Sequence, residues 1–236
     1  MIFAPPLVRA TLLRRYKRFL ADVRLADGSE AVAHCPNPGS MMGLAVAGAD
    51  IWLAPAAAPG RKLAWTWVLE AAPEGLVGID ANRPNALVAE ALAAGALPAF
   101  AGYASIRREV RYGTNSRVDF LLEGPGRPPC YLEVKNVHLR RDSGADAGAE
   151  FPDCRTARGA KHMEELGRIA AAGARAATLW IVQRDDCQHF RLARDIDPRY
   201  AGACAAARAA GMEAHAWACR LSPERIDIHR PLPIYE

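Results

Sequence analysis

The feature that most constrains the fold is a change of hydrophobic period near residue 82. Before it the chain is a succession of short strand-forming runs. Leu7 to Leu13, Phe19 to Leu25, Glu30 to Cys35, Ile51 to Ala54, Leu63 to Leu69 and Leu76 to Ile79 alternate apolar with polar residues or are rich in β-favouring ones, and Pro- and Gly-rich turns separate them. Asp27-Gly28 reads as a hairpin turn between the second and third. So many short strands in about eighty residues predict a small β-barrel or sandwich. An OB-fold is one such barrel and binds oligonucleotides on its face, although the pattern alone does not choose among small barrels.

From Asn82 the period becomes helical. Leu87, Val88, Ala91 and Leu92 recur at helix spacing between Pro84, suited to a first turn, and Gly95, suited to a stop. Three strand-like runs follow, Ile106 to Tyr112, Arg117 to Leu122 and Cys130 to Val137, then a Gly- and Asp-rich loop over residues 142–148. A helix from Thr156 to Ala172, an apolar strand from Ala177 to Val182, a helix from Pro198 to Ala210 and two last strands (Met212 to Cys219, Arg225 to Ile228) complete the pattern. The expected fold class is therefore α/β (α+β), with an N-terminal β-barrel over residues 1–80 and a mixed domain over residues 81–236.

Few function classes survive the composition. None of the six cysteines lies in a C-x-x-C pair, which leaves zinc-ribbon and thioredoxin readings without support. No secretory leader and no membrane-spanning run is present, so a cytoplasmic chain with reduced thiols is expected. A net charge of +4 is compatible with a polyanionic partner and does not require one.

The chemistry is concentrated in two neighbouring strands. Asp119 lies in Arg117-Val118-Asp119-Phe120; Glu133 and Lys135 lie in Leu132-Glu133-Val134-Lys135. Residues two apart on a strand share a face, so Glu133 and Lys135 project together. If the strands pair through the turn at Gly124 to Pro129, Asp119 comes alongside Glu133. Two carboxylates with an ammonium beside them suit a hard cation that keeps several waters, Mg2+ or Mn2+, and through it hydrolysis of a phosphodiester. Asp119, Glu133 and Lys135 are thus the candidate catalytic residues, and Asp119, Glu133 and Glu90, the last from the preceding helix, the candidate metal ligands. The helix, three-strand, helix, strand order matches a nuclease core that carries such a triad. Cross-strand salt bridging is the simpler explanation of the same residues.

In the first half, Arg14, Arg15, Tyr16, Lys17 and Arg18 interleave cations with aromatics. On an OB-like face, cations follow phosphates and rings stack on bases. His34, Asn37 and Ser40 stand in a Gly- and Pro-punctuated loop whose amides could cradle a phosphate.

The chain resembles the sugar fermentation stimulation protein A family over essentially its whole length. The resemblance is carried by Pro6-Leu7-Val8, Arg14 to Leu20, His34-Cys35-Pro36-Asn37 with Gly39-Ser40-Met41, and Asn82 with Pro84-Asn85. Arg108-Glu109-Val110, Ser116 to Leu121, Tyr131 to Val137, Phe151-Pro152-Asp153 and Thr156-x-Arg158-Gly159-x-Lys161-His162 continue it. Pro38 departs from the threonine usual there, and Arg155 from a small apolar residue. The resemblance implies an OB-like barrel joined to a PD-(D/E)xK nuclease-like (restriction-endonuclease-like) domain, with Asp119, Glu133 and Lys135 on the nuclease motif. It implies DNA binding with little sequence preference, and adds Arg158, Lys161 and His162 as nucleic-acid contacts. It also carries an alternative, a non-catalytic DNA-binding regulator of sugar (maltose) metabolism genes.

Overall fold

The computed structural model describes residues 1–56, 62–113 and 116–235. The first unit contains β1 (Val8–Tyr16), β2 (Leu20–Leu25), β3 (Glu30–His34), β4 (Asp50–Pro55), β5 (Trp65–Ala72) and β6 (Gly75–Gly78). Their order is β3-β2-β1-β4-β5-β6, and a parallel pairing of β3 with β5 (Ala33 opposite Trp65, His34 opposite Thr66) closes the sheet into a barrel. Closure removes the exposed edges that a short-stranded sheet would present. Leu12, Val23, Ile51, Leu53, Trp67, Val77 and Ile79 fill the interior, all essentially without solvent exposure. The closed barrel that the strand-rich first half predicts is OB-like, as the family resemblance implies.

The second unit runs α1 (Arg83–Ala93), β7 (Ser105–Tyr112), β8 (Ser116–Glu123), β9 (Cys130–Val137), β10 (Gly148–Phe151), α2 (Ala157–Ala171), β11 (Arg175–Val182), β12 (His189–Leu192), α3 (Pro198–Ala209), β13 (Glu213–Leu221), β14 (Ile226–Pro231) and β15 (Ile234–Tyr235). Its central sheet has the order β14-β13-β11-β9-β8-β7. The inner strands β9, β11 and β13 are parallel, a pairing that needs crossovers, which α2 and α3 supply. One sheet face packs on α2 and α3 through Val118, Met163, Leu166, Trp180 and Tyr200. The other packs on α1 and the barrel wall, where Val68 and Leu69 of β5 join Leu87, Val88, Leu132 and Leu179 in one core.

Helix starts follow the side chains available. Thr156 caps α2 by accepting from the Gly159 amide at 3.0 Å. Asp197 caps α3 through the Tyr200 amide at 3.0 Å and also takes the Thr156 amide at 2.7 Å, so one carboxylate fixes both helix starts. A three-stranded parallel sheet, β10-β12-β15, goes beyond the sequence expectations. Each of its strands is at most four residues long, too short to carry a readable alternation.

One buried acid makes the barrel sensitive to pH. Glu70 of β5 is 1% exposed and accepts the Ala45 amide at 2.9 and 3.1 Å. Burial pushes its carboxyl from 4.5 up to about 7, against the pull of those amides. With the folded pKa raised, the favourable contribution is complete below about pH 4.5 and is lost as pH rises through 7. The full swing is about 3 kcal/mol. Glu70→Gln removes the charge and keeps an acceptor, so its melting temperature should match wild type at pH 5 and exceed it at pH 8. Parallel melting curves across that range would refute the assignment.

Candidate active site

The site forms where two paired strands part. β8 and β9 are in register only at Phe120–Leu132, Leu121–Tyr131 and Leu122–Cys130. Past that point the ladder opens. The Val134 amide, which would otherwise look for a carbonyl, donates to Asp119 Oδ2 at 2.7 Å. Asp119 Oδ1 accepts from Asn85 Nδ2 of α1 at 2.8 Å, so the carboxylate is held from two elements. Opposite the parting, Glu109 of the edge strand β7 adopts a left-handed backbone (φ 53°), which costs a non-glycine residue of order 1 kcal/mol or more.

Glu133 projects from β9 towards α2 and is 3% exposed. Its Oε1 accepts from Lys135 Nζ at 2.7 Å and pairs with His162 Nδ1. An ionised carboxylate only accepts, so His162 carries its proton on Nδ1, which leaves Nε2 to accept from Arg158 Nε at 3.4 Å. Glu133 Oε2 is buried and has no hydrogen-bond partner among the described residues. Such an oxygen is costly to bury unless something completes it.

The electrostatics separate the two acids. Burial, reinforced by repulsion from Glu133, pushes Asp119 up to about 6. Burial works in the same direction on Glu133, but the Lys135 ammonium and His162 outweigh it and hold that carboxyl below its usual range. Glu133 is therefore charged, and Asp119 readily becomes so beside any added cation.

Asp119, Glu133 and Lys135 come together in one cleft of about 450 Å3, whose walls include Asn85, Arg108, Thr156, Arg158 and His162. Glu90 does not join them. It lies five residues beyond Asn85 on α1, about 140° round the helix axis, and pairs with the amino group of residue 1 at 3.1 Å. Its proposed place as a third metal ligand is corrected accordingly. Among the described residues no group of three or more His, Cys, Asp or Glu side chains is arranged around a metal position.

The remaining candidates divide. Arg158 and His162 line the cleft, His162 as a partner of Glu133 and not as an outward-facing contact. Lys161, one residue earlier, lies 3.8 Å from Glu165. In the barrel, Arg14 pairs with Asp22 at 2.6 Å with its guanidinium over the Tyr16 ring. Arg15 donates to the carbonyls of Arg18, Asn37 and Gly39. Asn37 is 1% exposed, donates to the Ile79 carbonyl and accepts the Gly39 amide. Ser40 Oγ donates to the Asp153 carbonyl at 2.9 Å. Arg15, Asn37 and Ser40 thus shape their loop and fasten it to the second unit. His34 ends β3, opposite Leu20 and Thr66. Lys17 and Arg18 form the β1–β2 hairpin tip with left-handed φ of 47° and 62°, beside Phe19, which is 46% exposed.

Asn85 is a site residue that motif reasoning does not reach. Its signal is the Pro84-Asn85 pair at the helix start, but only the fold brings it to Asp119.

Two family models match the chain, one described as the "SfsA N-terminal OB domain" over residues 13–79 and one as the "Sugar fermentation stimulation protein RE domain" over residues 82–225. The chain belongs to the sugar fermentation stimulation protein family. Family members described as sugar fermentation stimulation protein homologs include one from Paramagnetospirillum magneticum, 54% identical over 98% of this chain and 97% of the relative. Another, from Jannaschia sp., is 56% identical over 99% and 97%. A solved family structure, described as Pyrococcus furiosus SfsA in complex with Ca2+, superposes with a TM-score of 0.86 at 28% identity, covering 100% of this chain and 98% of that one. No helix among the described residues is long and apolar enough to cross a membrane. All six cysteines are free thiols, and Cys154 alone is exposed.

Proposed function

We propose that the chain is a DNA-binding phosphodiester hydrolase of PD-(D/E)xK type, dependent on Mg2+ or Mn2+ and indifferent to base sequence. The observation that carries this reading is the buried, unpartnered Glu133 Oε2 beside Asp119. Two carboxylates fit a hard cation whose other positions are water, backbone carbonyl or phosphate oxygen. A family member described as a Ca2+ complex supports a divalent cation in this fold.

Asp119 and Glu133 would hold the metal, which when bound lowers the pKa of a water and offsets charge on the phosphate. The rest belongs to the chain. Asn85 and the Val134 amide orient Asp119. His162 and Lys135 occupy Glu133 Oε1, leaving Oε2 as the free donor atom. The Lys135 ammonium, beside Glu133, would orient the attacking water or stabilise charge on the reacting phosphate. Free cysteines suit a cytoplasmic setting.

The absence of Glu90 from the cleft favours a second reading, a DNA-binding regulator that keeps this fold without turnover. The two separate in one experiment, incubation of end-labelled single- and double-stranded DNA with the protein in Mg2+, in Mn2+ and in chelator. Cleavage with metal and none in chelator is expected. Salt-sensitive binding without cleavage under any condition would replace hydrolysis by the regulatory reading.

A further inference from the structure

We infer that the β7–β8 hairpin carries a second phosphate-binding point, built by Arg111 and Arg117, next to the candidate active site. The inference rests on the nucleic-acid reading above and extends it to how the substrate backbone is held.

Arg111 and Arg117 are direct cross-strand partners. Their neighbours Val110, Tyr112 and Val118 turn inward onto the α2 side of the sheet, and both arginines are exposed. Other arginines in strand pairs face an acid or an uncharged residue, as Arg14 faces Asp22, Arg24 faces Glu30 and Arg107 faces Leu121. Here two cations face each other. Like charges directly opposite on a sheet are destabilising, and among the described residues neither guanidinium has an acidic partner. An anion between them removes that cost. Two planar guanidiniums, each able to donate in pairs, fit a phosphate better than a carboxylate or halide site would require.

The position explains what the anion belongs to. Arg111, Tyr112, Gly113, Ser116 and Arg117 line a cleft of about 490 Å3 at this end of the hairpin. Arg117 precedes Asp119 by two residues on β8, about 7 Å along the strand. Arg108, three residues before Arg111 on β7, already lines the active-site cleft. A nucleic-acid strand with one phosphate at Asp119 and Glu133 would lay a flanking phosphate on this pair. The contact reads the backbone and not the bases.

The test is binding of a fluorescein-labelled single-stranded oligodeoxynucleotide, followed by anisotropy across a salt series in chelator, where no cleavage competes. Arg111→Ala/Arg117→Ala should bind about tenfold or more weakly, with the log–log salt slope reduced by roughly 1–2, the share of two lost phosphate contacts. Arg111→Lys/Arg117→Lys should recover part of both. Inorganic phosphate should compete only weakly, since a free ion gains nothing from the neighbouring site; full displacement at low millimolar phosphate would make this a free-anion site and overturn the backbone assignment. The alanine variant should melt at or above wild type because a repulsion has been removed, and a fall of several degrees would assign the pair to stability and overturn the inference. Unchanged affinity and slope in a wild type that binds would also overturn it. A wild type that fails to bind any oligonucleotide would overturn the nucleic-acid reading and this one together.

Discussion

Glu133→Gln is expected to lower metal-dependent cleavage on the order of 10³-fold, the scale of losing one preorganised charged group from a water-excluded site. The amide keeps the shape of the side chain and can still accept from Lys135 through its carbonyl. It cannot present an anionic oxygen in place of Oε2, which is buried without a partner. Lys135→Ala should reduce cleavage about 10²-fold or more by removing the ammonium now 2.7 Å from Glu133 Oε1. Both variants should bind labelled DNA in chelator nearly as wild type does, because neither side chain is a phosphate contact without the metal. Single-turnover cleavage beside anisotropy separates the two effects. A Gln variant that keeps more than a tenth of wild-type activity would remove Glu133 from the chemistry.

The largest loss of stability is expected at Asp186→Ala. Asp186 accepts from Arg184 Nε at 2.8 Å and Nη2 at 2.6 Å, and from Arg140 Nη1 at 2.7 Å. The Arg140 and Arg184 side chains are 4% and 6% exposed. Without Asp186, two buried guanidiniums stand together; Arg140 keeps only the half-exposed Glu74 and the Gly144 carbonyl, and Arg184 the His138 carbonyl. Leaving buried charge unpaired costs about 3–5 kcal/mol, which in a chain of this length lowers the melting temperature by roughly 10 °C. A shift below about 3 °C in a thermal melt would show that water reaches this pair and screens it.

The parts of the molecule that sequence could reveal are those governed by local rules. Strand alternation put Glu133 and Lys135 on one face and the adjacent strand brought Asp119 beside them, and all three line one cleft. The strand-rich first half announced a barrel because closing six short strands is the way to bury Trp67 and Leu53 together. What escaped was set by long-range geometry. Helical phase turned Glu90 away from a cleft that Asn85 reaches. Arg15 on its strand and Asn37 and Ser40 in their loop look like nucleic-acid contacts in sequence, yet their partners are carbonyls up to 113 residues distant. The β10-β12-β15 sheet joins strands from three separate stretches, so no local window contains its signal.

The seam between barrel and sheet is fastened by backbone as well as side chains. The Gly78 amide donates to the Gln183 carbonyl and the Ala81 amide to that of Pro36, while the Leu76 amide donates to Asp185. Val77 bridges Arg184, and Gly78 lies so close to Gln183 that an added Cβ would come within 2.7 Å of its Oε1. A joint fastened in this way offers no hinge. The barrel and the cleft therefore form a fixed gauge, and on the proposed nucleic-acid reading a strand lying across both would have to match their separation, with length and curvature, not induced closure, deciding what fits.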